Sequence, residues 1–519
     1  EGKSAGVLRQ VVEEREGGDE VAVTLREKRG AVFADLKVGA NVAGACPLRS
    51  NCGISNRGVI PHGEGFIVDS DEAMRLGLGT VPGVNEHIRL YRNGRDISQT
   101  SRGVMVIDMF GLSADEVCAR FPAIYQHLLE RVKPGRDQNP RASRRENWWL
   151  FAENQPRMRE SIAGLSRYIV TVQTSKHRIF VLLDGSVLPD DKLIAIATED
   201  AAILGVLSSQ VHVVWALAAG ATLEDRPVYN KSACFESFPF PDLHAADKFG
   251  GPIAHSPEDA DRNCGPVNVS GEHPTERIRR LAEELDAHRK RQQAAHPGLT
   301  LTGMYNVLEK LRAGEPLSAK ERAIHEQGLV SVLRQLHDDL DAAVLEAYGW
   351  SDLLPLLRVA HGNESPAEGQ SREDAKRAFE EAVLDRLVAL NAERAAEEAR
   401  GIVRWLRPEF QNPAGGGQAP EQPALGGVEH DGGDAAEEAI VAAVAVQAGN
   451  KPKPWPRDAV EQVRAVAEVL AGSAHPLSVD DVAARFTARG PWKRRLPQLL
   501  DMLVALGRAR EQDGRYEPA

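Results

Sequence analysis

Apolar and polar positions along this chain keep changing period, and the changes divide it. Two runs with β-like alternation, "EVAVTLRE" and "AVFADLKVG", flank "KRG" and predict a hairpin after an N-terminal helix-like stretch. Residues 48–78, "LRSNCGISNRGVIPHGEGFIVDSDEAMRLGL", are turn-rich, with glycines at 53, 58, 63 and 65 punctuating short strands. In "HIRLYRNGRDIS" (87–98) the pair Asn93-Gly94 predicts a turn, and "GVMVIDMFGLS" predicts a buried strand over 103–110. "SADEVCARFPAIYQHLLERVKP" carries helical spacing, with Ser113 and Glu116 as a capping box and Pro134 as the stop. "RYIVTVQTSKHRIFVLL" (167–183) reads as a strand interrupted by a polar, cationic middle. "KLIAIAT" is a further short strand, 199–219 a largely apolar helix, and "RPVYNKSACFESFPFPDL" closes this first region.

From 274 the period becomes helical. Ile278, Leu281 and Leu285 share one face, as do Leu329, Leu333, Leu336, Leu340 and Val344 further on, with "AEGQSRED" as a polar interruption. Residues 244–273 and 412–455 read as linkers by their proline, glycine and acidic content. The last stretch predicts three helices and a terminal hairpin, a winged-helix outline with Lys493, Arg494 and Arg495 opening the third helix. Such a domain serves DNA or protein contacts equally well. The expected fold class is α+β. The divisions fall at 1–40, 41–243, 244–273, 274–411, 412–455 and 456–519.

Composition narrows the function classes. With 42% hydrophobic and 27% charged residues the chain is ordinary for a soluble globular protein, and no apolar run of about 18 residues predicts a membrane span. The opening "EGKSAGVLRQVVEEREGG" has neither an initiator Met nor an apolar signal core, and reads as if cut from a longer chain. Five scattered cysteines without a C-x-x-C pair support neither a disulfide framework nor zinc, so a reduced, cytoplasmic setting is expected. A net charge of −12 argues against wholesale nucleic-acid binding. Between Arg131 and Arg178, however, eleven Lys/Arg stand against four acids, a local surplus suited to phosphate contact.

Catalytic sets are not found. There is no G-x-S-x-G, H-E-x-x-H or Walker loop; "PDDK" (189–192) lacks the separated acid of a two-metal nuclease, and Gly63-Glu64-Gly65 lacks the third glycine of a phosphate loop. An Asn/Asp-Pro-Pro-aromatic loop, which would hold a flipped adenine, is absent too, as is a glycine-rich strand-to-helix turn for a methyl donor. On residues alone the chain is a binding module.

"SNRGVIPHGEGFIV", "RLYRNGRD", "RENWWLF", "RYIVTVQTSKHRIFVLL", "LGVLSSQVHVVWALAAGA" and "RPVYNKSACFESFPFPD" occur together and in order. With the helical segment from "LDAHRKRQQAAHPGLTLTGMYNVLEKL" onward they resemble the target-recognition and helical region of class I DNA adenine-N6 methyltransferases, over roughly residues 20–411. That group includes fused type II restriction-modification enzymes and phage-defence methyltransferases. The resemblance implies that residues 1–40 end a methyltransferase domain, that 41–243 bind double-stranded DNA, and that S-adenosylmethionine serves a parent enzyme at a site outside this chain. Partners implied are duplex DNA, the upstream methyltransferase domain or subunit and defence-system proteins, with no membrane. Under this reading Gln173, Ser175, Lys176 and Arg178 project from a strand to read base edges, Gln suiting adenine and Arg or Lys guanine. Lys133, Arg136, Arg141, Arg144, Arg145 and Lys231 contact the DNA backbone, whereas Trp148 and Trp149 read as packing residues. Two alternatives stay open: a non-enzymatic adaptor of a defence complex, and a free-standing DNA binder working through residues 456–519.

Overall fold

Two long antiparallel strands, β1 (Ala5–Gly17) and β2 (Glu20–Ala31), open the chain in the computed structural model. The model describes residues 5–17, 20–31, 40–223, 226–243 and 272–413, with short stretches between 453 and 518. The stretch that reads as helix-like is therefore β1, and its partner is "EVAVTLRE" with a register shift between Val11 and Glu13. Cross-strand pairing outweighs the local helical spacing here. The expected second strand lies largely in 32–39, outside the described residues.

Residues 40–243 hold two four-stranded sheets. One runs β3 (Ser55–Arg57), β10 (Leu193–Ile196), β7 (Arg167–Val172), β8 (Phe180–Asp184), antiparallel throughout. The other runs β4 (Ile67–Val68), β6 (Met105–Ile107), β5 (Ile88–Arg92), β9 (Leu188–Pro189), with β5 and β9 parallel. A small hairpin, β11 (Ala221–Leu223) with β12 (Arg226–Val228), lies beyond them in sequence. Short helices α1 (Ser70–Arg75) and α2 (Val84–His87) precede β5. Asn93-Gly94 makes no hairpin turn. Asn93 instead caps α3 (Gly94–Ser98), its side chain accepting from Arg95 and Asp96 N–H while Asp96 accepts from Asn93 N–H.

The helix expected over 113–134 is two. Ser113 and Glu116 form the capping box that starts α4 (Ala114–Arg120). Pro122 then drives Phe121 out of helical backbone (φ −135°, ψ 61°), and α5 (Pro122–Arg131) begins a new axis. Pro134, expected as a stop, sits in the first turn of α6 (Lys133–Asp137), where a missing N–H costs nothing. The segment continues through α7 (Ala142–Glu146) and α8 (Pro156–Ile162). The apolar helix at 199–219 likewise breaks into α9 (Ala201–Ser208) and α10 (Gln210–Ala219), bent by 64° at Ser209. Among the described residues no single helix is long and apolar enough to cross a membrane.

The helical region comprises α11 (Pro274–Ala295), α12 (Leu301–Ala313), α13 (Ala319–Gly328), α14 (Val330–Ala347), α15 (Leu354–Ala360), α16 (Arg372–Ala399) and α17 (Pro408–Gln411). It does not form a core of its own. One buried cluster runs from Ile54 to Leu406 through both sheets and these helices. Gly205 of α9 allows α11 to approach closely: a Cβ there would meet Ile278 Cγ2 at 2.5 Å. Asp341 of α14 caps α10, its Oδ1 accepting from Gln210 N–H at 2.7 Å.

The most informative contact is between α11 and β8, the outer strand of its sheet. Arg289 donates to Phe180 O at 2.9 Å, and Asp286 accepts from Leu182 N–H at 3.2 Å. Lys290 donates to Leu182 O at 2.8 Å and pairs with Asp286 at 2.6 Å. Side chains of one helix thus satisfy the backbone groups that a neighbouring strand would otherwise take. Arg167 to Glu283 and Arg279 to Asp200 reinforce the junction.

Residues 426–519 form a second unit. Within it, strands Leu477–Ser478, Arg515–Pro518 and Ala509–Gln512 make an antiparallel sheet beside a helix at Val479–Ala484, over Val466, Val482, Phe486, Leu496, Leu500 and Tyr516. Lys493, Arg494 and Arg495, and most of the first and third helices expected there, lie outside the described residues.

Candidate functional site

The basic segment 131–159 folds as short helices separated by prolines, which spreads its cations over different environments. Arg136 is 1% exposed: Nη2 donates to Pro61 O (2.9 Å) and Leu150 O (3.1 Å), and the guanidinium sits 5.7 Å from the Phe66 ring centroid. Burial, then nearby Arg144, push its pKa down to about 10. This arginine staples two loops together and is not offered to a ligand. Lys133 pairs with Asp137 at 2.7 Å, Lys231 with Glu236 at 3.3 Å, and exposed Arg145 donates to Asn139 O and Pro140 O. Arg141 precedes α7, with its N–H on Asn139 Oδ1. Arg144 is half-exposed on α7, its N–H on Arg141 O at 3.2 Å, and its side chain has no hydrogen-bond or ion-pair partner among the described residues. Of the backbone-contact set, then, Arg144 and Arg145 are half-exposed and exposed, respectively, and have no carboxylate partner among the described residues.

The interrupted strand at 167–183 is a hairpin, β7 and β8, with 173–179 as the connection. Alternation of side chains ends at Val172, so the four expected base readers do not share a strand face. Gln173 and Ser175 are half-buried, and their backbones bond to Lys192 O and Pro227 O, with Thr174 bridging Val228. Arg178 turns inward: it donates to Thr171 Oγ1, Val172 O and Pro227 O and lies 5.0 Å from the Tyr229 ring centroid. Burial lowers its pKa. Lys176 remains exposed but bonds Asn306 Oδ1 at 2.7 Å and Glu309 at 3.2 Å, while His177 reaches the same two residues of α12. The cationic middle of this stretch docks the hairpin tip onto the helical region. Trp148 is buried against Tyr125, and Trp149 Nε1 donates to Leu112 O, both in packing roles.

Two residues not singled out in the sequence stand beside the basic helices. His62 (φ 48°) and Gln155 (φ 51°) hold left-handed backbone unusual for their type. Burial, then Arg144, Arg136 and Arg141, lower the His62 pKa. The turn "PHG" was a usable signal for His62; nothing in the sequence marks Gln155.

Other candidates resolve into structure. "PDDK" is a turn in which Tyr91 donates to Asp190 and Asp190 accepts from Lys192 N–H. Gly63 precedes and Gly65 lies within a short 3-10 turn, and a Cβ at Gly65 would meet Arg131 Cβ at 2.5 Å, so this glycine serves close packing against α5. Asp338, Asp341 and His361 bring ligand atoms within 4.8 Å of one another, yet Arg312 lies 3.0 Å and Arg334 3.7 Å from Asp338. A cation there would face two guanidiniums. A cavity of about 420 Å³ beside them is lined by Arg277, Arg334, Arg358, Asp338 and Asp339, charges of both signs.

Comparison with known proteins bears on the first of these regions. No curated protein matches the chain. Among solved structures, the chain resembles the type IIL restriction-modification enzyme MmeI in complex with DNA, at 16% identity and a TM-score of 0.46. That match covers 72% of this chain, which spans 40% of the length of that enzyme. Residues 56–242 match the family described as MmeI, target recognition domain. The basic helices and all but the first residue of the two sheets of this α+β fold fall inside those bounds, so it is this part of the chain that is similar to the MmeI target recognition domain.

Proposed function

We propose that this chain is the DNA-recognition portion of a restriction-modification or phage-defence enzyme that methylates adenine at N6. The family match over 56–242 carries the reading. Support comes from the half-exposed Arg144 and the exposed Arg145 within it, neither paired with a carboxylate among the described residues. Residues 40–413 would hold double-stranded DNA and set one adenine before a methyltransferase domain, with S-adenosylmethionine bound there as methyl donor. The setting is cytoplasmic, where restriction-modification substrates are found.

The test is selection of bound duplexes from a random-sequence pool by the full chain at about 50 mM salt, followed by affinity against salt concentration. The expected result is a pool with fixed bases, and an affinity falling steeply with salt as counterions are released. Arg144→Ala is expected to lower the log–log salt slope by about one unit with the selected sequence unchanged. Retention of no duplex at low salt overturns the proposal.

A further inference from the structure

Among the large apolar side chains exposed in the described residues, one is aromatic: Phe110, at 40%. The others, such as Met74, Leu217 and Leu223, are aliphatic and have no π-face to offer.

Phe110 is not loosely displayed. It stands on the turn that follows β6, between Met109, which is 1% exposed, and Gly111, whose φ of 90° permits a sharp reversal. Asp108, buried at 4%, accepts from the Phe110 N–H at 3.3 Å. Arg159 of α8 grips the same carboxylate with both terminal nitrogens, at 2.6 and 3.0 Å, and donates to Asn154 O. Its guanidinium lies 4.6 Å from the Phe110 ring centroid and 5.8 Å from that of Phe151. Leu112 N–H bonds Met109 O at 3.1 Å, and Trp149 Nε1 holds Leu112 O at 2.8 Å.

A largely buried Arg–Asp pair loses much of its Coulomb gain to desolvation, so hydrophobic packing would stabilise this turn as well. What the pair adds is a fixed position: the ring is braced by the Arg159 guanidinium and remains 40% exposed. The bracing residues, Trp149 and Arg159, belong to the basic segment that carries Arg144 and Arg145. An aromatic ring 40% exposed on a braced turn, held by residues of the same basic segment, fits a nucleic-acid partner, in which phosphates meet the cations and a base meets the ring.

We infer that Phe110 is the side chain that enters the base stack of the bound duplex, unstacking one step beside the target base. This rests on the DNA-recognition reading above. Arg159 and Asp108 are positioning residues that aim the ring.

The experiment uses the full chain and the duplex it selects, with 2-aminopurine substituted at each position in turn. Wild-type protein is expected to raise the fluorescence at one position, because an unstacked 2-aminopurine is less quenched. Phe110→Ala is expected to abolish that rise and to weaken binding about ten-fold or more, within the range for loss of one stacked aromatic. Phe110→Leu, which keeps an apolar wedge without a π-face, is expected to bind with intermediate affinity. Unfolding midpoints of both variants are measured beside the affinities, and both proteins are expected to remain folded at the temperature of the binding assay, with a modest loss of stability because the ring is only 40% exposed and packs on Arg159. A wild-type protein that selects a duplex, with Phe110→Ala equal to it in affinity and fluorescence, overturns the inference and leaves the recognition reading standing. A wild-type protein that holds no duplex overturns both.

Discussion

A guanidinium carries the same charge wherever it sits, and its surroundings decide what it does. Arg136, Arg144 and Arg178 are equivalent in sequence, three cations of one basic stretch, yet of the three only the Arg144 side chain lacks a partner among the described residues. Arg178→Ala is expected to destabilise the fold by about 2–4 kcal/mol, because it strips donors from three acceptors and leaves a void beside Tyr229. Urea denaturation measures this, and an unchanged midpoint with altered base preference would restore Arg178 as a reader. The charge surplus was legible in the sequence; its division between packing and surface was not, because that depends on carbonyls such as Pro61 and Pro227, which are distant in the chain. A second residue-scale expectation concerns Asp341, whose carboxyl burial pushes up to about 7 and whose Oδ2 has no partner. A folded-state pKa raised above the unfolded value means the native state binds the proton more tightly. The group then costs nothing below about pH 4 and increasingly destabilises as pH rises towards 7. Asp341→Asn keeps an oxygen for Gln210 N–H and is expected to be more stable than wild type at pH 8, by on the order of 2–4 kcal/mol, and by much less at pH 4.5. Guanidinium unfolding at the two pH values checks it; an equal effect at both would refute the assignment.

At the scale of elements, caps were easier to see than breaks. Ser113 and Glu116 announce α4 locally, since the capping box needs no distant partner. Ser371 and Asp374, inside what reads as a polar interruption, form the same device at the start of α16. Breaks were misread where the deciding force is not periodic: Phe121 yields to the ring of Pro122, and Ser209 to a helix start capped from α14. The strand at 167–183 looked continuous because β-branched residues flank its middle, while the tertiary anchors Asn306 and Glu309 lie some 130 positions away. Helix contact gives an element-scale prediction. Gly205→Ala would drive a methyl into Ile278, and is expected to cost about 1–3 kcal/mol, with part recovered in the double variant carrying Ile278→Val. Thermal unfolding of the two proteins decides; a tolerated Gly205→Ala would show that α9 and α11 separate freely.

For the molecule as a whole, the linker at 244–273 reads as a boundary and the packing does not observe it. Residues 54–406 share one core, so the recognition segment and the helices that follow are expected to unfold together as one transition in a protein of residues 40–413. Two resolved transitions by calorimetry would contradict this. The sequence could not disclose the union, because amphipathic helices show that a face must be buried and say nothing of what buries it. The side chains of Asp286, Arg289 and Lys290 on the β8 backbone reach further than stability. Moving residues 56–242 alone into another chain would leave that strand bare, ready to zip onto any passing chain. The transplantable cassette must take residues 274–295 with it, and a graft lacking them is expected to precipitate where the longer one stays in solution.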